Sequence, residues 1–256
     1  MTDLHDAATR FDRDGFVIVR CLFDAASLSE IETQLTRFVV HTAPDLPPDE
    51  AYFEDGAPGV LKSAFRLNHH DTFFDALRVS PRIVEIVSTV FDDPNVVPWH
   101  VMFFAKAAGS GSETPPHQDN AFQNMQPPEG LTATIALDLS TPDNGVLCCQ
   151  AGSHKCGLLP HVPSGVPGFS RRLADPLVTA QYPPEQLCMV PGDVAFHHLN
   201  TVHYSGDNTS ANSRRQIGIG YYSSRAERDE AAFAAYQDEV ADLHQDKLGI
   251  PAAEGQ

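Results

Sequence analysis

Pro115-Pro116-His117-Gln118-Asp119, answered 84 residues beyond its carboxylate by Thr201-Val202-His203-Tyr204-Ser205, is the stretch on which the fold of this chain turns. On a β-strand, positions i and i+2 share a face. His117 and Asp119 can therefore offer an imidazole and a carboxylate to one ion, and His203, on a distant strand, a second imidazole. Two histidines and one carboxylate on one face of an octahedron leave positions open, the donor set of non-haem Fe(II) oxygenases. An isolated His-x-Asp is common, so the surroundings matter. Arg214 stands 11 residues after His203, a spacing that suits a hairpin bringing a cation back to the ion. His197 and His198 could each reach a metal as well. Ser205 on the face of His203, with Arg214 beyond it, favours His203, and a buried histidine more often hydrogen-bonds a neighbour.

Outward from these motifs, the second half of the chain is a series of short apolar runs broken by Gly, Pro, Asn and Asp. Residues 101–104, 132–139, 146–150, 187–190, 194–198 and 216–222 read as strands. The first half has helical spacing instead. Leu28, Ile31, Leu35, Phe38 and Val39 recur within 27–40, and Ile83, Ile86, Val87 and Val90 within 82–91, behind Pro81 at a helix start. Phe16-Val17-Ile18-Val19 reads as an early strand, and 44–58, with four prolines, as a surface loop. Residues 153–181 read as a long loop of the kind that covers active sites. An acidic, alanine-rich helix over about 226–247 carries Phe233, Tyr236, Val240 and Leu243 as its stripe. Short strands after a helical beginning predict a mainly β fold with flanking helices, a jelly roll with its helices on one side. Nothing divides residues 1–256, so one domain is expected, with its core over about 11–224.

Composition bounds the function. The chain has 256 residues, 42% of them hydrophobic, which allows a substantial core. No apolar run reaches the ~18 residues of a membrane-spanning helix. Met1-Thr2-Asp3-Leu4-His5-Asp6 has neither the basic nor the apolar region of a secretory signal. A formal charge of −17 favours solubility and repels nucleic acid and anionic membranes, so neither is expected as a partner. Cys21, Cys148, Cys149, Cys156 and Cys188 form no C-x-x-C pair and no even framework, and reduced thiols in the cytoplasm are expected. Cys148 and Cys149 are strand neighbours facing opposite ways, so they would not readily share a metal, and apolar packing is expected of at least one.

The segment from Met102 through His117-Gln118-Asp119, then Leu131-Thr132-Ala133-Thr134-Ile135-Ala136-Leu137-Asp138, Asn144-Gly145 and Gly152-Ser153-His154-Lys155, resembles the phytanoyl-CoA dioxygenase (PhyH) family. So do Pro191-Gly192-Asp193-Val194-Ala195-Phe196, His203-Tyr204-Ser205, Arg214, and the opening Phe11-Asp12-Arg13-Asp14-Gly15-Phe16. The resemblance covers about Phe11 to Ser224. It implies a double-stranded β-helix, a cupin-like jelly roll, and an oxygenase that uses Fe(II), 2-oxoglutarate and O2 and releases succinate and CO2. It places the distal metal ligand at His203. The far carboxylate of 2-oxoglutarate suits a guanidinium fork, which points to Arg214, with the Ser205 hydroxyl as a neutral donor and Arg215 left to pair at the surface. Lys62, Met102 and Gln118 match further cosubstrate positions of the family, and Thr134 stands where the family often has Trp. Related halogenases have Gly or Ala in place of the carboxylate ligand, so Asp119 favours hydroxylation over halogenation.

The sequence does not spell out the substrate. Arg66, Asn68, His69, His100, Asn120, Gln123, Asn124, His154 and Arg225 are candidate pocket residues, a polar mixture that suits a small polar molecule. Ser170-Arg171-Arg172 is the clustered basic stretch a CoA thioester would want, and solvated surface is its plainer role. A metal-binding cupin-like isomerase, or a silent binding module of the same fold, would not need a carboxylate clamp beside the metal. Oligomeric state is not legible.

Overall fold

The period-2 runs of the second half build two antiparallel sheets, and the helical segments of the first half cover one of them. The computed structural model describes residues 4–54, 59–109, 111–166 and 169–248. Helix α1 (Leu4–Asp14) leads into β1 (Phe16–Val19), and α2 (Ala25–His41) starts where the Asp24 side chain accepts a hydrogen bond from the Ser27 N–H. Strands β2 (Ala51–Phe53) and β3 (Leu61–Ala64) are followed by α3 (Leu67–His70), α4 (Thr72–Arg78) and α5 (Pro81–Phe91). The β-rich half holds β4 (Val97–Lys106), β5 (Thr114–His117), α6 (Asn120–Gln123), β6 (Met125–Gln126), β7 (Gly130–Ala136) and β8 (Leu147–Gln150). It continues through β9 (His161–Val166), β10 (Phe169–Leu173), β11 (Pro184–Gln186), β12 (Val194–His198), β13 (His203–Ser205), β14 (Arg214–Tyr222), β15 (Glu227–Arg228) and α7 (Glu230–Leu248).

The large sheet has the order β1-β12-β7-β14-β4-β3-β2, and the small one β11-β8-β13-β5. Alternation along β14 sorts its side chains. Ile217, Ile219 and Tyr221 are fully buried in the core shared with Ile31, Leu35 and Phe38 of α2 and Ile83, Ile86 and Val87 of α5. Each buried aliphatic side chain there contributes about 1.5–3 kcal/mol. Arg214, Gln216, Gly218, Gly220 and Tyr222 face the other way, toward the small sheet. A second cluster of Phe16, Ala136, Ala195 and Cys149 closes the gap between the sheets. The jelly roll is therefore as expected, with the first-half helices on one side while α7 packs against α6 and β10, and the buried Cys149 packs apolarly.

Several boundaries differ from expectation. Leu187–Val190 is not a strand: β11 lies earlier, and Met189 makes only an isolated bridge with Ser140. The stretch expected as a long loop contains the β9–β10 hairpin, hidden in the sequence because Pro163 and Gly165 break its alternation. The proline-rich loop contributes β2 to the sheet edge, and its residues 55–58 lie outside the described residues. The last helix begins at Glu230 because β15 comes first, pairing with β6. The Leu243 side chain lies outside the described residues.

Candidate active site

His117 and His203 are direct register partners across β5 and β13, with ring centroids 4.0 Å apart. Asp119 joins them differently from the expected strand alternation. β5 ends at His117, and Asp119 has helical backbone (φ −59°, ψ −30°) at the entry to α6, so a turn swings its carboxylate back over the imidazoles. Each histidine hydrogen-bonds a carbonyl through Nδ1, His117 to Pro115 O and His203 to Thr201 O, both at 2.9 Å. That fixes the tautomer and leaves both Nε2 lone pairs for a metal. Asp119 Oδ1 lies 3.6 Å from His117 Nε2 and 3.5 Å from His203 Nε2, while Oδ2 accepts from the Thr132 hydroxyl at 2.8 Å and meets His197 Nε2 at 3.2 Å. The ligand atoms of His117, Asp119 and His203 all fall within 4.8 Å of one another, so one ion could bridge them. Burial alone would raise the Asp119 carboxyl, but the surrounding histidines outweigh it and hold it well below its usual range. Burial, ahead of the charge of His117, lowers the His203 imidazole well below its usual range, keeping it the neutral ligand a metal needs.

Arg214 is not returned by a hairpin. β13 belongs to the small sheet and β14 to the large one, so the connection crosses between sheets. Its guanidinium is nearly buried and bonds Gln216 Oε1, its Nε has no partner, and no carboxylate among the described residues pairs with it. Burial, opposed by the charge of Asp138, draws it down to about 10. Arg215, facing outward, takes Asp138 and Glu32. Gln216 Nε2 is also buried without a partner. Farther along the same face, a Cβ on Gly218 would meet the ends of Phe104, Met102 and Thr132 at 3.3–3.5 Å, so the glycine leaves a narrow space there. A buried cation with no acid, on the face of β14 that Gly218 shares, fits a dicarboxylate that chelates the metal. Met102 and Thr134 are register partners of Gly218, and Ser205 shares the face of His203. Lys62 bonds Ser112 Oγ at 3.0 Å, next to a buried lysine the sequence did not single out: Lys106, opposite Arg214, bonds Ser112 O, and burial, then Arg214, lowers it to about 7. Gln118 is spent elsewhere. Its carboxamide donates to Gly157 O and Asn200 O and accepts from the Leu159 N–H.

The expected substrate residues separate into groups. His100 packs against Trp99 (4.1 Å) and edge-on against His69 (4.9 Å), and its Nδ1 is buried without a partner. Burial, then the charges of His69, Arg66 and Arg228, lowers it to about 4. Arg66 is tied to Glu50 and Asp49. Asn120 clips the turn to Met125, and Asn124 takes the left-handed conformation that ends α6. His154 and Arg225 line a separate surface cleft of about 240 Å³ with Phe11 and His198, so they do not join the ligand cluster. An aromatic wall went unread: Phe122 and Phe169 pack on the His117 ring at 5.7 and 4.6 Å, and Tyr236 of α7 on Phe122 at 6.0 Å. Arg171, from the basic stretch, joins the hairpin to α7 through Glu239 and the face of Tyr236.

A jelly roll holding two imidazoles and a carboxylate between its sheets, with an acid-free arginine behind them, defines an oxygenase dependent on Fe(II) and 2-oxoglutarate. The chain belongs to the phytanoyl-CoA dioxygenase (PhyH) family, whose model matches residues 11–216. It is 27% identical over 213 residues to a probable alpha-ketoglutarate-dependent hypophosphite dioxygenase of Stutzerimonas stutzeri, covering 81% of this chain and 74% of that one. It is 28% identical over 201 residues to the methylphosphonate hydroxylase of Gimesia maris, covering 76% and 73%. Among solved structures, the non-heme alpha ketoglutarate dependent epimerase SnoN from nogalamycin biosynthesis shares the fold, with TM-score 0.72, 23% identity and coverage of 98% and 92%. The chain spans about half the length or less of several phytanoyl-CoA dioxygenases it matches. No helix among the described residues is long and apolar enough to cross a membrane.

Proposed function

We propose that this oxygenase hydroxylates a small polar metabolite, with His117, Asp119 and His203 holding Fe(II) and Arg214 holding the far carboxylate of 2-oxoglutarate. The observation that carries the reading is Arg214, a buried guanidinium with no acid among the described residues and an unbonded Nε. Bound iron would supply O2 activation, with 2-oxoglutarate as the electron source and succinate and CO2 as its products. The chain's own residues do the positioning. The carbonyls of Pro115 and Thr201 aim the imidazoles, and Thr132 and His197 restrain Asp119 Oδ2 so that Oδ1 faces the ion. Phe122 and Phe169 keep water from the His117 side. Met102, Thr134, Ser205 and Lys62 line the cosubstrate end, and His100 the substrate side.

Asp119 favours hydroxylation, because its carboxylate fills the coordination position a halide would need. The names of two relatives, a dioxygenase of hypophosphite and a hydroxylase of methylphosphonate, agree with a small polar substrate. The five free thiols, with Cys21, Cys156 and Cys188 exposed, fit a reducing cytoplasm. The test is succinate release from 2-oxoglutarate with Fe(II) and ascorbate, followed by mass spectrometry of a metabolite library in chloride buffer. One added oxygen in the product is expected. A chlorinated product, or a product of unchanged mass, would sink the hydroxylase reading.

A further inference from the structure

Three arginines lie near His100 or α6, and two are neutralised. Arg66 pairs with Asp49 and Glu50, and Arg171 with Glu239. The third, Arg228 on β15, makes no ion pair among the described residues. In a chain with 34 acidic and 17 basic residues most arginines find an acid, and Arg228, like Arg172 and Arg214, pairs with none among the described residues. Its guanidinium lies over two aromatic faces, 5.0 Å from the Trp99 centroid and 4.2 Å from that of Phe233 on α7, and its Nε is buried without a hydrogen-bond partner. The ring contacts occupy guanidinium faces and leave its N–H edge to polar partners, one of them the Tyr222 hydroxyl.

The neighbours of Arg228 lead toward the metal ligands. Arg228 lies beside the Tyr222 hydroxyl, which donates to Gln123 Oε1 at 3.1 Å, and Tyr222 is close enough to Asp119 to feel its charge. Phe122 and Gln123 lie three and four residues after Asp119, on α6. Trp99 packs on Tyr222 at 5.2 Å and on His100 at 4.1 Å. Tyr222 and Arg214 are at opposite ends of β14, roughly 27 Å apart at ~3.4 Å per residue. One dicarboxylate cannot meet both cations, so Arg228 is free for a different anion.

We propose that Arg228 receives an oxyanionic group of the substrate, a carboxylate or a phosphonate, in a bidentate contact at the outer end of the cavity, with Trp99 and Phe233 fixing its plane. This rests on the oxygenase reading and adds a charge to its substrate. The test uses the full chain with 2-oxoglutarate and Zn(II) in place of Fe(II), so that no turnover intervenes. Calorimetry then compares methylphosphonate, propionate and the neutral dimethyl methylphosphonate. At least one anion should bind, the neutral ester at least ~10-fold more weakly, and the stronger anion identifies the head group. Arg228→Gln should weaken the anion by about 10-fold or more while the 2-oxoglutarate titration stays unchanged. Arg228→Lys, which keeps the charge and loses the fork, should fall between the two. Unchanged anion affinity in Arg228→Gln, or no anion bound by the wild type, overturns the proposal. If Arg228→Gln does not fold, wild-type affinity in Arg228→Lys overturns it. Succinate release by the Fe(II) form is measured separately, and its failure would strike the oxygenase reading and not the calorimetry.

Discussion

His203 and His198 are five residues apart, and direction alone separates them. His203 Nε2 faces Asp119, whereas His198 accepts from the Asn200 N–H through Nδ1 and packs on Phe11 and His154 in the outer cleft. His203→Ala should therefore lose stoichiometric iron and most succinate release, while His198→Ala keeps both. Iron analysis of the two purified variants decides, and the reverse result would overturn the ligand assignment. Arg214→Ala should raise the 2-oxoglutarate requirement and spare iron, because losing one partner of a desolvated carboxylate pair costs about 2–5 kcal/mol. An unchanged titration would send the far carboxylate elsewhere. Asp119→Gly should lose activity without gaining chlorination, since an opened position has no donors arranged around a halide. Chloride incorporation by that variant, seen by mass spectrometry, would contradict this.

At the scale of elements, the site depends on how β12 is entered. Pro191-Gly192-Asp193 turns the chain into the strand that delivers His197. Gly192 has φ +93°, and a Cβ there would lie 2.3 Å from the Phe23 carbonyl oxygen, which is backbone and cannot step aside. Asp193 then anchors the turn, fully buried, against Arg20 and the Cys21 N–H. Gly192→Ala should cost about 2 kcal/mol or more, from left-handed strain and overlap together. Chemical denaturation would show it as a lowered midpoint, and an unshifted midpoint would mean the turn relaxes freely. Strand type and helix type were legible here because periodicity is local. The β9–β10 hairpin was not, because Phe169 reaches His117 by a fold-back that no alternation announces.

Over the whole molecule, half-buried histidines set the acid limit. Burial, then the charge of His154, holds His198 at about 3, and burial, then His69, holds His100 at about 4, against an ordinary 6.5. The folded state keeps both neutral while the unfolded chain binds protons below about 6.5, so stability is fully present above that pH. It falls as the pH drops from about 6.5 toward 4, before most carboxylates titrate. The melting temperature should drop by roughly 5 °C or more between pH 7 and 5. His198→Gln should flatten that dependence. A melting temperature equally pH-dependent in wild type and variant would exclude this origin.

The residue types at 117, 119, 203 and 214 were readable from the sequence because metal and carboxylate binding demand particular donor atoms, which few side chains supply. The sequence also settled the helical half and the β half, since burial repeats at short, local periods. Only the tertiary structure decided that Asp119 arrives by a turn, that His203 and Arg214 lie on opposite sheets, and that His154 and Arg225 open onto another cleft. It alone brought Trp99 of β4 onto Arg228, whose other ring partner, Phe233, is only five residues further along the chain. The physical reason is that alternation fixes which side of a strand a residue takes. What that side meets is fixed by the closure of one sheet over the other and by the return of α7.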